Sequence, residues 1–192
     1  MPGLISLLMA VLFMLVAAWL YWPSPEIAFR TDESPVAWLS SAQMWAMAVL
    51  SLRLWGNSIL PRKLCLWLAL AMMGMAFDEQ FMLHEHWKYS CHQWISACRY
   101  TWMTELPMLL VGSLGLLTGI WLQHSLLTPH LRRLLWASLL IGLMALLLRF
   151  TEQPIVLLPY KAALLVIAQA LFIATLLGVP SASADTRQVH SA

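Results

Sequence analysis

The sequence predicts an all-α fold: a polytopic transmembrane helix bundle of about six spans with both termini in the cytoplasm. Composition is the first ground for this. Hydrophobic residues make up 61% of the 192-residue chain and charged residues 10%, where a soluble domain carries roughly a quarter charged residues. Length and pattern are the second. Apolar stretches recur at close to the about 20 residues that a helix needs to cross roughly 30 Å of hydrocarbon, and the connections between them are short. The net charge of +2, with no basic run, offers no surface for nucleic acid. Membrane lipids are the expected surroundings.

In chain order, the first apolar segment covers residues 4–22. It closes on Trp19, Tyr21 and Trp22, rings suited to a membrane interface, before Pro23 and Pro25 stop it. Its start lacks the basic n-region of a secretory signal, so a retained span is expected. The second segment covers residues 36–55. The third follows Pro61, Arg62 and Lys63, is apolar over residues 64–75, and turns polar from Asp78 to His86. The fourth covers 101–122, the fifth 134–148 and the sixth 155–177. Together they define one membrane domain over residues 1–179, and the small, polar stretch 180–192 reads as a disordered cytoplasmic tail.

Orientation follows from where the charges fall. Alternating sides group Arg53, Arg62, Lys63, Arg132, Arg133 and Arg187, whereas of the nine Asp and Glu residues all but Asp185 fall on the opposite side. Arg30, Lys88, Arg99, Arg149 and Lys161 oppose this bias, which still makes the first group cytoplasmic by the positive-inside rule. The cysteines agree. Cys91 and Cys98 share the outer connection after the third segment, while Cys65 lies at that segment's inner end, as an oxidised outer pair and a reduced inner thiol require. A Cys91–Cys98 disulfide needs Cα atoms within about 7 Å, whereas seven residues of helix span roughly 10 Å, so residues 92–97 should turn back. The competing reading has Cys91, His92 and Cys98 binding zinc, although the paired Cys-x-x-Cys spacing of common zinc sites is missing.

The informative stretch is Phe77-Asp78-Glu79-Gln80-Phe81-Met82-Leu83-His84-Glu85-His86. On a continuous helix, at about 100° per residue, Glu85 falls roughly 20° from Asp78 and His86 roughly 20° from Glu79. These four then share one face, and His84 falls off it unless the helix loosens near its end. A carboxylate at depth costs on the order of 3 kcal/mol on insertion scales, so Asp78 and Glu79 need partners. Glu105, between Thr104 and Pro107 in the fourth segment, would lie at a similar depth. Carboxylates and imidazoles suit zinc, manganese or iron, whose bound water is a nucleophile near neutral pH. The candidate metal ligands are therefore Asp78, Glu79, His84, Glu85, His86 and Glu105.

Two other readings of this cluster stand beside the metal. Arg149, Arg99 or Lys161 would pair with the carboxylates and fix helix positions without chemistry, or the acids would carry protons or ions. Ser40, Ser41 and Gln43 add polar groups in the outer half of the second segment, and Glu152 and Tyr160 flank the last outer connection. Gln169, in the middle of the sixth segment, reads as an interhelical hydrogen-bonding residue. His124, His130 and His190 read as solvated or interfacial groups on the cytoplasmic side.

The run Asp78-Glu79, four residues, then His84-Glu85 resembles a DE-x4-HE motif that closes an apolar helix in bacterial polytopic membrane proteins. That resemblance covers this one helix. It implies Asp78, Glu79, His84 and Glu85 as the motif positions, a bacterial inner membrane as the location, and no particular activity. More distantly, the chain resembles membrane hydrolases of the alkaline ceramidase type, which build a zinc site from His and Asp on several helices. It departs from them in lacking their late-helix His pair and in having six expected spans rather than seven.

Three classes of function are thus expected. One is a metal-dependent membrane hydrolase acting at the outer leaflet on a lipid or lipid-linked substrate. Another is a non-catalytic subunit or scaffold that joins other membrane protein subunits. The third is a small ion-coupled transporter, against which the acids lie near one surface and no broken-helix pair is evident.

Overall fold

The computed structural model describes residues 2–30, 34–150 and 158–189; Glu152, and the side chains of Arg99 and Arg149, lie outside that description. Among the described residues there is no strand. The helices are α1 (Pro2–Leu20), α2 (Ile27–Arg30), α3 (Pro35–Gly56), α4 (Arg62–Phe81), α5 (Leu83–Ser90), α6 (Thr101–Thr104), α7 (Leu106–Ser125), α8 (Pro129–Phe150) and α9 (Leu158–Val189). Two 3₁₀ turns, Cys91–Gln93 and Ser96–Arg99, join α5 to α6. The helical backbone of α9 runs through Val189. Side chains are described only as far as Val179, so the disordered tail expected over 180–192 lies outside them.

Prolines open several of these helices. Pro35, Pro107 and Pro129 sit in the first turns of α3, α7 and α8, where a missing N–H costs nothing and the fixed φ suits the helix. Ser34 completes the start of α3 by accepting the Ala37 N–H at 3.2 Å, the usual task of an N-cap hydroxyl. Pro107 also explains a departure from expectation. The fourth segment is not one helix from residue 101, because α6 ends at Thr104 and α7 begins at Leu106. A proline within a continuous helix would clash with the carbonyl four residues earlier; a break before it avoids the clash.

Five helices, α1, α4, α7, α8 and α9, are long and apolar enough to cross a membrane. With 22 residues α3 matches them in length, but it carries Ser40, Ser41, Gln43 and Ser51, all buried. Its outward positions include Trp38, Val49 and Leu52, with Arg53 exposed in the last turn. The serines and glutamine of α3 thus face inward, which is where hydrocarbon would drive them.

Packing centres on α9. On one side Ala10 and Met14 of α1, Val36 of α3 and Val166 and Ala170 of α9 form one buried cluster. Toward the other end Phe172, Ile173, Leu176 and Val179 of α9 join Met44, Met47, Leu64, Leu68, Leu122 and Leu135 in a larger one. Small residues let α1 and α9 approach closely: a Cβ added at Gly3 would lie 2.8 Å from the Ala174 Cβ. Because that neighbour is fixed to the backbone, Gly3→Val must push the helices apart. It should destabilise the protein by about 1–3 kcal/mol, the usual cost of overpacking, read as a lower unfolding temperature in detergent or nanodiscs. An unchanged melt would show that α1 is not held against α9 at this point.

Candidate functional site

The polar end of α4 does not continue as the single helix that its spacing suggests. Phe81 is the last residue of α4, and Met82 turns left-handed at φ 51°, ψ 40° while its N–H bonds back to the Asp78 carbonyl. That conformation ends many helices, usually with glycine in the place Met82 holds. Helix α5 restarts at Leu83, with the His86 N–H donating to the Met82 carbonyl at 2.8 Å.

The turn brings α5 back onto Asp78. Asp78 Oδ1 accepts the His84 backbone N–H at 2.8 Å, and Asp78 Oδ2 lies 2.8 Å from His84 Nδ1. One carboxylate thus satisfies a first-turn N–H of α5, where negative charge is favoured, and fixes the imidazole ring as well. The His84 side chain is 10% exposed and that of Asp78 28%. The shared face that would have aligned Glu85 with Asp78 and His86 with Glu79 is not formed, because the helix on which it depends ends at Phe81. His84, which that face excluded, is the residue that meets Asp78.

A second set of contacts holds α5 against α6 and the N-cap of α7. Lys88 Nζ lies 2.8 Å from Glu105 Oε1, and Trp87 Nε1 donates to the Met103 carbonyl at 3.3 Å. Cys91 and Cys98 form a disulfide with Cα atoms 5.9 Å apart. Residues 92–97 turn back as the spacing requires, through Ile95 N–H to the Cys91 carbonyl at 2.9 Å and Cys98 N–H to the Ile95 carbonyl at 3.1 Å. Both cysteines are buried, and Cys65 is free and buried within α4.

Sequence reasoning missed Lys88 as the partner of Glu105. The signal was present in the predicted disulfide, since a chain that reverses between residues 91 and 98 returns Lys88 toward residue 105. Glu79 and Glu85 are half-buried and His86 is exposed, its ring 6.3 Å from that of Trp94. Among the described residues no group of three or more His, Cys, Asp or Glu side chains stands close enough to hold a metal ion.

What the arrangement offers is an oriented imidazole. With Asp78 ionised, Nδ1 carries the proton and Nε2 presents its lone pair. A carboxylate behind a histidine is the arrangement of general bases and of metal-bound histidines alike. Comparison with protein-family models, curated proteins and solved structures finds no match, so the functional reading rests on these residues.

Two expectations follow from the site's construction. In denatured, unreduced protein a maleimide should label a single cysteine, and reduction should raise this to all three; three labels without reductant would exclude the disulfide. Met82→Gly removes the cost of holding a β-carbon in a left-handed conformation, about 1–2 kcal/mol. It should raise the unfolding temperature, and a drop would mean that the Met82 side chain contributes more than its backbone costs.

Proposed function

We propose that this chain is a polytopic membrane enzyme in which the Asp78–His84 pair is the centre of a hydrolytic reaction on a lipid or lipid-linked substrate. The observation that carries the proposal is the double hold of Asp78 on His84, through the backbone N–H and through Nδ1. A carboxylate that merely cancels a nearby charge has no need to fix the orientation of a ring. His84 Nε2 would take a proton from water as the water attacks a carbonyl or phosphoryl centre, and Asp78 would stabilise the imidazolium that results. The imidazolium would return the proton to the ester or phosphate oxygen that leaves as its C–O or P–O bond breaks. The pair lies at the end of a candidate span, the level at which the linkage of a lipid headgroup sits.

On this reading α3 joins the five apolar helices as a sixth span, which puts both termini on the same side. The excess of basic residues makes that side cytoplasmic, with the disulfide and the pair on the outer face of a bacterial inner membrane. A catalytic zinc takes three protein ligands, more than the described side chains bring together, so no step here is routed through a metal. Zinc, manganese or iron is the second form of the proposal, favoured by the carboxylate behind His84. His84 would then be a ligand and Asp78 its support.

The test presents lipid esters, phosphodiesters and lipid-linked pyrophosphates to the purified protein, with metal content measured on the same samples. His84→Gln should abolish turnover, and Asp78→Asn should lower it by about 10²–10⁴-fold while the protein still folds. Turnover in His84→Gln equal to wild type would falsify the proposal, and a stoichiometric metal lost in His84→Gln would select its second form. A non-catalytic subunit is favoured by a separate observation: α7 buries only Thr118, Gly119 and Leu122, so most of it faces outward. Partner subunits that co-purify with inactive wild type would decide for that role.

A further inference from the structure

Two helical hairpins come together at the end of the bundle opposite the Asp78–His84 pair. Helices α3 and α4 are antiparallel, with the Ser41 hydroxyl on the Ala76 carbonyl near one end and residues 57–61 joining them at the other. Helices α7 and α8 are joined by residues 126–128, and a Cβ added at Gly119 of α7 would press on the Leu139 side chain of α8. The hairpins meet where Trp67 Nε1 of α4 donates to Thr118 Oγ1 of α7 at 2.8 Å. Their two connections therefore share one end of the bundle.

Among the described side chains, that end carries charge of one sign. Arg53, Arg62, Lys63, Arg132 and Arg133 are exposed there, whereas the chain has no Asp or Glu from Pro35 to Phe77 or from Leu106 to Phe150, and the first in α9 is Asp185, beyond the described side chains. Two of these cations have neutral acceptors: Arg62 Nη2 donates to Ser58 Oγ at 3.4 Å, and Arg132 Nε donates to the Leu126 carbonyl at 2.9 Å. Such bonds orient a guanidinium without cancelling its charge. Exposed tryptophans accompany the cations. Trp67 follows Lys63 by four residues and Trp136 follows Arg132 by four, so each ring stands one turn, roughly 6 Å, further into a candidate span than its cation. Trp55 and Trp121, near the ends of α3 and α7, are exposed as well.

This layering matches a phospholipid, whose esters take indole rings and whose phosphate lies one step outward, within reach of Lys and Arg. A soluble anion would engage the cations and leave the rings unused. A zwitterionic headgroup brings a cation of its own to an end that has no described carboxylate to receive it. We propose that this end of the bundle binds anionic phospholipids in preference to zwitterionic ones, with Arg62, Lys63, Arg132 and Arg133 on the headgroup phosphates and the tryptophans against the glycerol esters. The proposal is independent of any chemistry at Asp78 and His84.

The full-length protein in neutral detergent, offered equal amounts of phosphatidylglycerol and phosphatidylcholine with matched acyl chains, gives the test when bound lipid is counted by native mass spectrometry. Phosphatidylglycerol should be favoured by about tenfold or more, and the preference should shrink as salt screens the cations. Lys63→Gln and Arg133→Gln should each lower it by about fivefold, the factor that about 1 kcal/mol per basic residue near an anionic surface represents. Lys161→Gln, at the opposite end of the bundle, should leave it unchanged. Equal retention of the two lipids by wild type, a preference untouched by both Lys63→Gln and Arg133→Gln, or displacement of the lipid by an equal concentration of inorganic phosphate would each overturn the proposal. The wild-type comparison and its salt dependence decide the matter even where a variant fails to fold.

Discussion

Three consecutive residues of α9 gather hydrogen bonds from three different helices. The Ser138 hydroxyl of α8 donates to the Ala168 carbonyl at 2.8 Å, Gln169 donates to Ser40 of α3 at 2.9 Å, and the Ser6 hydroxyl of α1 donates to the Ala170 carbonyl at 3.0 Å. In hydrocarbon, apolar contact alone gives helices no preferred rotation, since lipid tails are as apolar as leucine. Hydrogen bonds that each require one register supply that preference. Bonds of this kind are worth about 1 kcal/mol or less apiece, so they select a packing that the apolar clusters then stabilise. Rotating α9 by one residue would break all three bonds at once, and of the three donors Ser6 alone keeps a second acceptor, the Gly3 carbonyl at 3.0 Å.

How far the sequence discloses this depends on what kind of information a residue carries. Apolar runs of this length mark helices, so those over 36–55 and 64–75 reappear within α3 and α4 with ends displaced by a few residues. Gln169 was legible for the same reason: a lone amide in the middle of an apolar run has nowhere to go but a neighbouring helix. The disulfide was legible from compartment and geometry together. Serines were not, because Ser6 and Ser138 look like tolerated small residues until their partners are known. The partners are backbone carbonyls, which every residue possesses and no sequence pattern marks.

The candidate site was legible in composition and not in geometry. Asp78, Glu79, His84, Glu85 and His86 were singled out as one stretch, of which the structure joins Asp78 to His84, and their mutual placement was inferred from a continuous helix. Met82 breaks that helix without glycine, asparagine or proline to announce it. The compensation is non-local in character, since Asp78 gains two hydrogen bonds from His84 only after the chain has turned. A left-handed methionine costs roughly what one such charge-assisted bond returns. Propensity at a single position therefore could not reveal a conformation fixed by a residue four places earlier.

The same economy explains how the site is referenced to the bundle. Ser40 and Ser41 are adjacent on α3 and so point about 100° apart. Ser40 meets Gln169 of α9, and Ser41 donates to the Ala76 carbonyl of α4 at 3.4 Å. Ala76 is two residues before Asp78, and its carbonyl takes the Ser41 hydroxyl in addition to the ladder of α4, which runs to Phe81. Trp45 of α3 packs edge-on against Phe77 at 5.4 Å, between those two residues. Helix α3 thus gauges the position of Asp78 against α9 through one serine on each side. Its polar character, which keeps it from the apolarity of the other long helices, is what lets it perform that task.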